Sequence, residues 1–456
     1  MGLNIPRRGQ IKASSRYEPL GLRDLPFPTD PVINPYNDDP RRNGGIYAES
    51  AAKESIEKFE RLLISPGDFL NRARLAYLWS KGDRETGRGV GKTALLRYFR
   101  HRINQDWGAT EFGGSFSACV IYVSFPAQVD RRYMEQLALS ALVDTCKSGV
   151  LKASRAALRL QALQPHQGES VLTSSDGSSD FENLLRDSVL ESKGINPSQI
   201  DDAVADKLIL SGVEPRSAVP LAQGKFEDYL RSFRRDGSLE PFYVPRDTQI
   251  LDYSRALLFN DVVNYLRVAD FAGGYLFIDD IENLVDQMTR KHRIEFAKEF
   301  ALCTVRPGYA NTAYNFLSCV LTTHQQASVG LAQAWGDAGL SAIARLDPSS
   351  PNSVELTFPS KDQARDIIVA HLDYYRINPS DRGGITPFTP DGLAALLEDR
   401  ETVHPRMLLS RAANVVLYAV NNGIKAIDAG CVAAAAAAST APVATPDVTE
   451  GIEGAL

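Results

Sequence analysis

Short, nearly continuous apolar runs recur along the chain, and most are followed by an amphipathic stretch. The runs at 75–79, 118–125, 275–278 and 316–323 are rich in aromatic and β-branched residues, and a further short run lies at 354–358. Continuous apolar runs, in contrast to alternating ones, are typical of strands buried on both faces of a parallel sheet. The pattern therefore predicts an α/β fold built on a parallel sheet.

After the last predicted strand the pattern becomes helical. Ser360 with Gln363 forms a capping box before an apolar-periodic stretch, and Pro390 and Pro405 stand where two further helices would begin. An alanine run and an acidic, proline-containing segment follow, which we expect to be disordered. The sequence therefore predicts a C-terminal helical lid and a tail.

A glycine-rich segment, TGRGVGKT at 86–93, joins the first predicted strand to a helical pattern. Strand, glycine-rich loop ending in Gly-Lys-Thr, then helix is the context of a phosphate-binding loop, whose backbone N–H groups surround the phosphates. Lys92 would supply a positive charge to the same oxygens, and the Thr93 hydroxyl would ligate Mg²⁺. Thr86 replaces the usual first glycine of the motif. The predicted nucleotide-binding residues are Gly87, Arg88, Gly89, Val90, Gly91, Lys92, Thr93 and Ala94.

Acidic residues follow the apolar run at 275–278 directly, in the order Asp279, Asp280, Ile281, Glu282. An aspartate at the tip of a strand beside a phosphate loop holds the magnesium of the nucleotide, so Asp279 is the second predicted metal ligand. A neighbouring acid can orient or deprotonate the attacking water, which makes Asp280 the first candidate base and Glu282 the alternative. Together the two motifs predict an ATP- and Mg²⁺-binding site.

The loop and the acidic strand lie unusually far apart in the sequence, which predicts an inserted subdomain that is mainly helical. We expect a P-loop NTPase core, an αβα sandwich, with the C-terminal lid and this insertion. The predicted segments are an extended arm (1–50), the Walker A segment of the core (51–149), the insertion (150–250), the acidic-strand segment of the core (251–358), the lid (359–432) and the tail (433–456).

Composition and simple motifs exclude several other classes of protein. The 456 residues carry a formal net charge of −6, and 44% of them are hydrophobic. No apolar run reaches the roughly 18 residues of a membrane helix, and the N-terminus lacks the apolar core of a signal peptide. The five cysteines form no CxxC pair, and the six histidines accompany no G-x-S-x-G elbow. We therefore expect a cytoplasmic protein without membrane partners, disulfides or a second catalytic centre.

On these motifs the chain resembles AAA+ ATPases of the ASCE P-loop class, nearest to the origin-recognition and transposition-helper branch, with some likeness to STAND ATPases. GRGVGKT resembles Walker A, and LFIDDIE resembles Walker B with Asp280 where the family most often has Glu. The resemblance implies a sensor 1 at His324, with Thr323 as second choice. It implies a sensor 2 at Arg406, in VHPRMLL, and an arginine finger at Arg345 or, failing that, Arg306.

Three functions remain open at this point. The first is an AAA+ ATPase that forms a homo-oligomeric ring or filament in ATP and remodels a protein partner or DNA, for example in a mobile-element or defence system. The second is a STAND-like signalling switch, and the third is a nucleotide-dependent scaffold that does not hydrolyse ATP. A basic cluster at Arg97, Arg100, His101 and Arg102 is a candidate DNA contact, although a solvated helix face is the simpler interpretation.

Overall fold

The described residues of this computed structural model fall into two compact units. The structure describes residues 15–29, 39–64, 72–82, 89–114, 116–124, 133–173, 180–231, 234–235, 238–239, 258–305, 316–397 and 403–440. The described residues within 39–45 and 52–357 belong to the first unit, and those within 15–29, 46–51 and 358–440 belong to the second.

Among the described residues, a five-stranded sheet forms the centre of the first unit, and its strands are, in spatial order, β2 (Ser117–Ser124), β5 (Phe271–Asp279), β6 (Leu317–His324), β1 (Leu75–Ser80) and β7 (Ser353–Glu355). Every neighbouring pair is parallel, as the apolar runs predict. Most of the strand residues are buried, which is why the runs are continuous and do not alternate. A small hairpin pairs β3 (Arg234–Arg235) with β4 (Ser238–Leu239).

Helices cover both faces of the sheet. On one face the Lys92 Nζ donates to the Ser80 hydroxyl at 2.7 Å, and on the other the Trp335 indole donates to the Tyr77 hydroxyl at 2.9 Å. Since side chains alternate along a strand, Tyr77 and Ser80 lie on opposite faces. The helices flanking the sheet are α2 (Lys53–Leu63), α3 (Lys92–Asp106), α4 (Tyr133–Lys147), α11 (Val263–Val268), α12 (Glu282–Gln287), α13 (Arg290–Phe300) and α14 (Gln325–Asp337), and a short α1 (Pro40–Asn43) precedes them.

A cluster of helices occupies the sequence between β2 and β5. A buried guanidinium holds several of its helices together: Arg159, fully buried, forms two 2.8 Å bonds to the Asp201 carboxylate and one to Asp187. Apolar side chains of this cluster join the same hydrophobic core as the sheet. Its helices are α5 (Val150–Ala162), α6 (Pro165–Leu172), α7 (Asp187–Ser192), α8 (Pro197–Leu210), α9 (Pro215–Ala222) and α10 (Phe226–Arg231).

The second unit is helical and has its own apolar core. Leu22 and Phe27, from the segment expected to be an arm on the surface, are fully buried in that core. The predicted capping box is present, since Ser360 and Gln363 exchange both bonds. Its helices are α15 (Lys361–Tyr375), α16 (Pro390–Leu397), α17 (Pro405–Asn421) and α18 (Ala429–Thr440).

One predicted boundary is wrong. Residues 433–440, which we expected to begin a disordered tail, form most of helix α18. Alanine has the highest intrinsic helix propensity, and Cys431 and Ala435 of this helix are buried in the second unit's core. The rest of the predicted tail, from 441, lies outside the described residues.

Candidate functional site

Two glycines of the loop before helix α3 adopt backbone conformations that favour glycine. Gly89 and Gly91 have φ of 79° and 106°, the left-handed region that side chains with a Cβ rarely adopt. Gly91 stands at the N-cap of α3 and has no side chain with which to cap it. The backbone N–H groups of a helix N-terminus bind anions readily. Gly87 and Arg88 of the predicted loop lie outside the described residues.

The lysine of the loop is buried. Lys92 is 7% exposed and donates from Nζ to the Ser80 hydroxyl at 2.7 Å, at the C-terminal end of β1. Thr93 and Ala94 follow it in the first turn of α3, both half-buried, and Val90 before it is buried. A cation, an uncapped helix start and glycine backbone therefore meet at the C-terminal edge of the sheet.

Asp279 ends strand β5 at the same edge, and three donors fix its carboxylate. Oδ1 accepts from the Thr322 hydroxyl at 2.7 Å and from the Asp280 backbone N–H at 3.1 Å. Oδ2 accepts from the Tyr122 hydroxyl at 2.7 Å. The residue is 1% exposed. Thus side chains from three neighbouring strands, β2, β5 and β6, converge at this point.

The backbone turns sharply after Asp279. Asp280 has a φ of 56°, a region that aspartate tolerates better than most residues do. Its N–H donates to the Thr322 hydroxyl at 2.9 Å, and its Oδ2 accepts from the Ser124 hydroxyl at 2.9 Å, at the tip of β2. Hence the first candidate base is already held by a hydrogen-bond donor from the edge strand.

Glu282, the alternative base, is the first residue of α12 and is 2% exposed. Burial raises the pKa of its carboxyl to about 7. The Lys92 cation opposes this rise in pKa, whereas the negative charges of Asp280 and Asp279 add to it. A group with a pKa near 7 is well matched to accepting a proton at neutral pH.

The predicted sensor strand β6 carries both sensor candidates at its C-terminal end. His324, 3% exposed, caps helix α14, because its Nδ1 accepts from the Ala327 N–H at 3.2 Å. Thr323 is fully buried, and its hydroxyl donates to the His324 carbonyl at 3.4 Å. Thr322 is the residue that contacts Asp279. The sensor role of His324 stays a prediction.

Arg345 and Arg406, the predicted arginine finger and sensor 2, are both exposed. Arg345 lies in the first unit, its side chain 64% exposed and 3.5 Å from the Asp347 carboxylate. Arg406 is exposed in the first turn of α17, in the second unit. Arg306 lies outside the described residues. Their roles as arginine finger and sensor 2 stay predictions.

Three arginines of the basic cluster are engaged within the first unit, which weakens both interpretations from the sequence. Arg97 is 4% exposed and donates to the Tyr122 hydroxyl. Arg100 pairs with the buried Asp144 at 2.9 Å, and Arg102 pairs with Glu111. These charges neither form a solvated face nor offer a stripe to DNA.

Four residues near the site were not singled out from the sequence: Ser80, Tyr122, Ser124 and Thr322. Ser80 and Ser124 are the last residues of their strands, so the rule that polar strand ends meet at one edge would have found them. Tyr122 and Thr322 lie inside apolar runs and look like core positions in the sequence.

The residues present fit a nucleotide with its magnesium. The uncapped start of α3 and Lys92 are suited to phosphate oxygens, and the Thr93 hydroxyl and the Asp279 carboxylate are the hard oxygen donors that Mg²⁺ prefers. Within the described ranges, no group of three or more His, Cys, Asp or Glu forms a dedicated metal cage. Mg²⁺ is usually held by one or two carboxylates together with substrate phosphates, so none is required.

The strand order and this edge define the fold as an α/β P-loop NTPase core, an αβα sandwich in which β6 lies between the loop strand β1 and the acidic strand β5. Among solved structures, the chain is similar to the Aeropyrum pernix ORC1 protein in complex with DNA, at 14% identity and a TM-score of 0.38. That match covers 85% of this chain and 65% of the ORC1 chain, so this chain spans less than two thirds of the length of the ORC1 chain. No family model matches the chain, and neither does any curated protein. None of the helices described combines the length and apolar character needed to cross a bilayer.

Proposed function

We propose that this protein is an AAA+-type ATPase that binds ATP with Mg²⁺ at the C-terminal edge of its sheet and hydrolyses it slowly. Lys92 and the start of α3 would hold the phosphates, and Thr93 and Asp279 would hold the metal. When bound, the metal would neutralise charge on the phosphate oxygens. Nucleotide state would then drive homo-oligomerisation or the remodelling of a protein or DNA partner, in the cytoplasm.

One observation carries the proposal. Two motifs far apart in sequence meet at one edge of the sheet: the Lys92 ammonium contacts Ser80 at the end of β1, and Asp279 ends β5. Between them, β6 brings Thr322 to the Asp279 carboxylate. A chance glycine-rich turn has no reason to lie beside a buried, oriented carboxylate on the same face.

Two carboxylates compete for the role of general base. Asp280 follows the metal-binding position directly, but it is short and its Oδ2 is bonded to Ser124. Glu282 is longer and has a pKa of about 7, next to the Lys92 charge. We assign the water-activating role to Asp280 first, as the resemblance implies, with Glu282 as the residue that would replace it.

A scaffold that binds ATP without turnover is the second candidate function. The bond from the Ser124 hydroxyl to Asp280 Oδ2 favours it, since it engages one of the two carboxylate oxygens that could accept a proton from water. Nucleotide binding without measurable phosphate release would distinguish the scaffold from the slow ATPase.

The test combines binding and turnover. ATP affinity, measured by calorimetry, should be lost in Lys92→Ala, and unchanged affinity would overturn the site. Asp280→Asn should keep binding and slow phosphate release by about 10²-fold or more, the usual scale for loss of a general base. Normal turnover in Asp280→Asn together with loss in Glu282→Gln would move the base to Glu282. Each rate should be measured with and without DNA.

A further inference from the structure

Tyr122 occupies an unusual position beneath the candidate metal site. It lies on β2, the strand at one edge of the sheet, and is 3% exposed. Its hydroxyl donates to Asp279 at 2.7 Å and accepts from the Arg97 guanidinium at 3.2 Å. The Arg97 guanidinium carbon also lies 4.9 Å from the centre of the Tyr122 ring. The tyrosine therefore links helix α3 to the carboxylate that ends β5.

Helix geometry makes this link specific to the phosphate-loop helix. Positions 93, 97 and 100 of α3 have the spacing i, i+4, i+7 and so share one face of the helix. Thr93 is the first of them, in the turn that follows the loop, and Arg97 is the one that contacts Tyr122. One helix face thus carries Thr93, a predicted metal ligand, and, one turn later, Arg97. Through the Tyr122 hydroxyl, Arg97 is linked to Asp279, the second predicted metal ligand.

The backbone of Tyr122 is fixed as well. Its N–H donates to Asp144 Oδ2 at 2.9 Å, and Asp144 Oδ1 accepts from Arg100 at 2.9 Å. Asp144 is on α4 and fully buried. Because β2 is the edge strand of the sheet that the described residues form, this carboxylate takes the place of a strand partner for the Tyr122 N–H.

From this arrangement we propose that Tyr122 is a positioning residue for magnesium. Its hydroxyl holds the Asp279 carboxylate in one orientation and at a fixed distance from the start of α3, where Thr93 lies. The Thr93 hydroxyl and the Asp279 carboxylate, the predicted metal ligands, are then in place before the metal binds. The inference rests on the proposed function, since it concerns the same metal. Neighbours that orient a metal ligand typically contribute about 10- to 100-fold to metal affinity.

The experiment separates binding of the metal from binding of the nucleotide. A non-hydrolysable ATP analogue is titrated calorimetrically into the protein in EDTA, and Mg²⁺ is then titrated into the complex. Tyr122→Phe deletes one oxygen and keeps the ring. The expected result is unchanged affinity for the analogue in EDTA and an Mg²⁺ requirement raised by about 10-fold or more.

Tyr77→Phe is the matched control. Tyr77 is also a fully buried tyrosine on the same sheet, and its hydroxyl donates to the Ala344 carbonyl and accepts from Trp335, on the opposite face from Lys92. It should leave the Mg²⁺ requirement unchanged even if it lowers stability. An equal shift in both variants would overturn the positioning role.

Asp279→Asn distinguishes a failure of the positioning role of Tyr122 from a failure of the proposed metal site. If it raises the Mg²⁺ requirement and Tyr122→Phe does not, the inference is wrong and the proposed metal site stands. If Asp279→Asn leaves the Mg²⁺ requirement unchanged, the proposed metal site fails and the inference fails with it.

Discussion

Replacing Glu282 by Gln should stabilise the metal-free protein, and by an amount that grows with pH. The pKa of the Glu282 carboxyl rises from an ordinary 4.5 to about 7 on folding, chiefly through burial. The folded state therefore binds this proton more tightly than the unfolded state does. Between these two pKa values, raising the pH lowers the free energy of unfolding, because the buried carboxyl must ionise. Glutamine resembles the protonated acid and has no such dependence.

The size of the effect follows from the two pKa values. One pKa unit corresponds to about 1.4 kcal/mol, so ionising Glu282 costs about 3 kcal/mol once the pH is well above 7. At pH 5.5 the same linkage gives about 1.4 kcal/mol. The stability of Glu282→Gln relative to the natural protein should thus increase by about 2 kcal/mol between pH 5.5 and pH 8.5.

Urea unfolding in EDTA, followed by tryptophan fluorescence, measures this difference. The three tryptophans, Trp79, Trp107 and Trp335, all lie in the first unit, so the signal reports on the unit that contains Glu282. Glu54→Gln, at an exposed position of α2, is the matched control for the change of glutamate to glutamine. A Glu282→Gln difference that is the same at pH 5.5 and pH 8.5 would refute the buried, charge-surrounded site.

Three further predictions concern packing and assembly. Gly392→Ala should lower the stability of the second unit in thermal unfolding by about 2 kcal/mol or more, since a Cβ there would collide with the Ile427 carbonyl; Gly430→Ala, which would meet only the Asp428 carboxylate at 3.4 Å, should be tolerated. Asp201→Ala should cost about 1.5–3 kcal/mol in urea unfolding, because the buried Arg159 loses two hydrogen bonds and keeps its bond to Asp187, whereas Glu182→Gln, in an exposed pair, should cost about 0–1 kcal/mol. Turnover per subunit should rise with protein concentration and lose that rise in Arg345→Ala, while Arg406→Ala should weaken assembly in ATP, as measured by sizing. A monomer with concentration-independent turnover would favour the switch interpretation.

The parallel sheet could be predicted because burial on both faces leaves a long apolar run, and the loop and acidic motifs because their chemistry demands particular residue types. The partners of the basic cluster could not be predicted from the sequence. Arg100 is neutralised by Asp144, and Arg102 by Glu111 and Glu60. Such pairings depend on how helices cross, which no spacing within a single helix reveals. The helix at 429–440 could not be predicted for a different reason: an alanine-rich segment this short is only marginally helical by itself, and the burial of Cys431 and Ala435 stabilises it.

The contact of Thr322 with Asp279 shows where a sequence stops being informative, since the resemblance points to His324 and Thr323 on the same strand. In a half-buried strand the polar alternation shows which side chains face the ligand, but β6 is buried along its whole length, and its two faces look alike in the sequence. The contact between Lys92 and Ser80 marks the face of β1 that carries the phosphate loop. Since Ser80 pairs with His324 and Leu78 pairs with Thr322, both β6 residues lie on that face, and the intervening Thr323 lies on the other. Register between strands distant in sequence therefore selects Thr322 as the contact to Asp279.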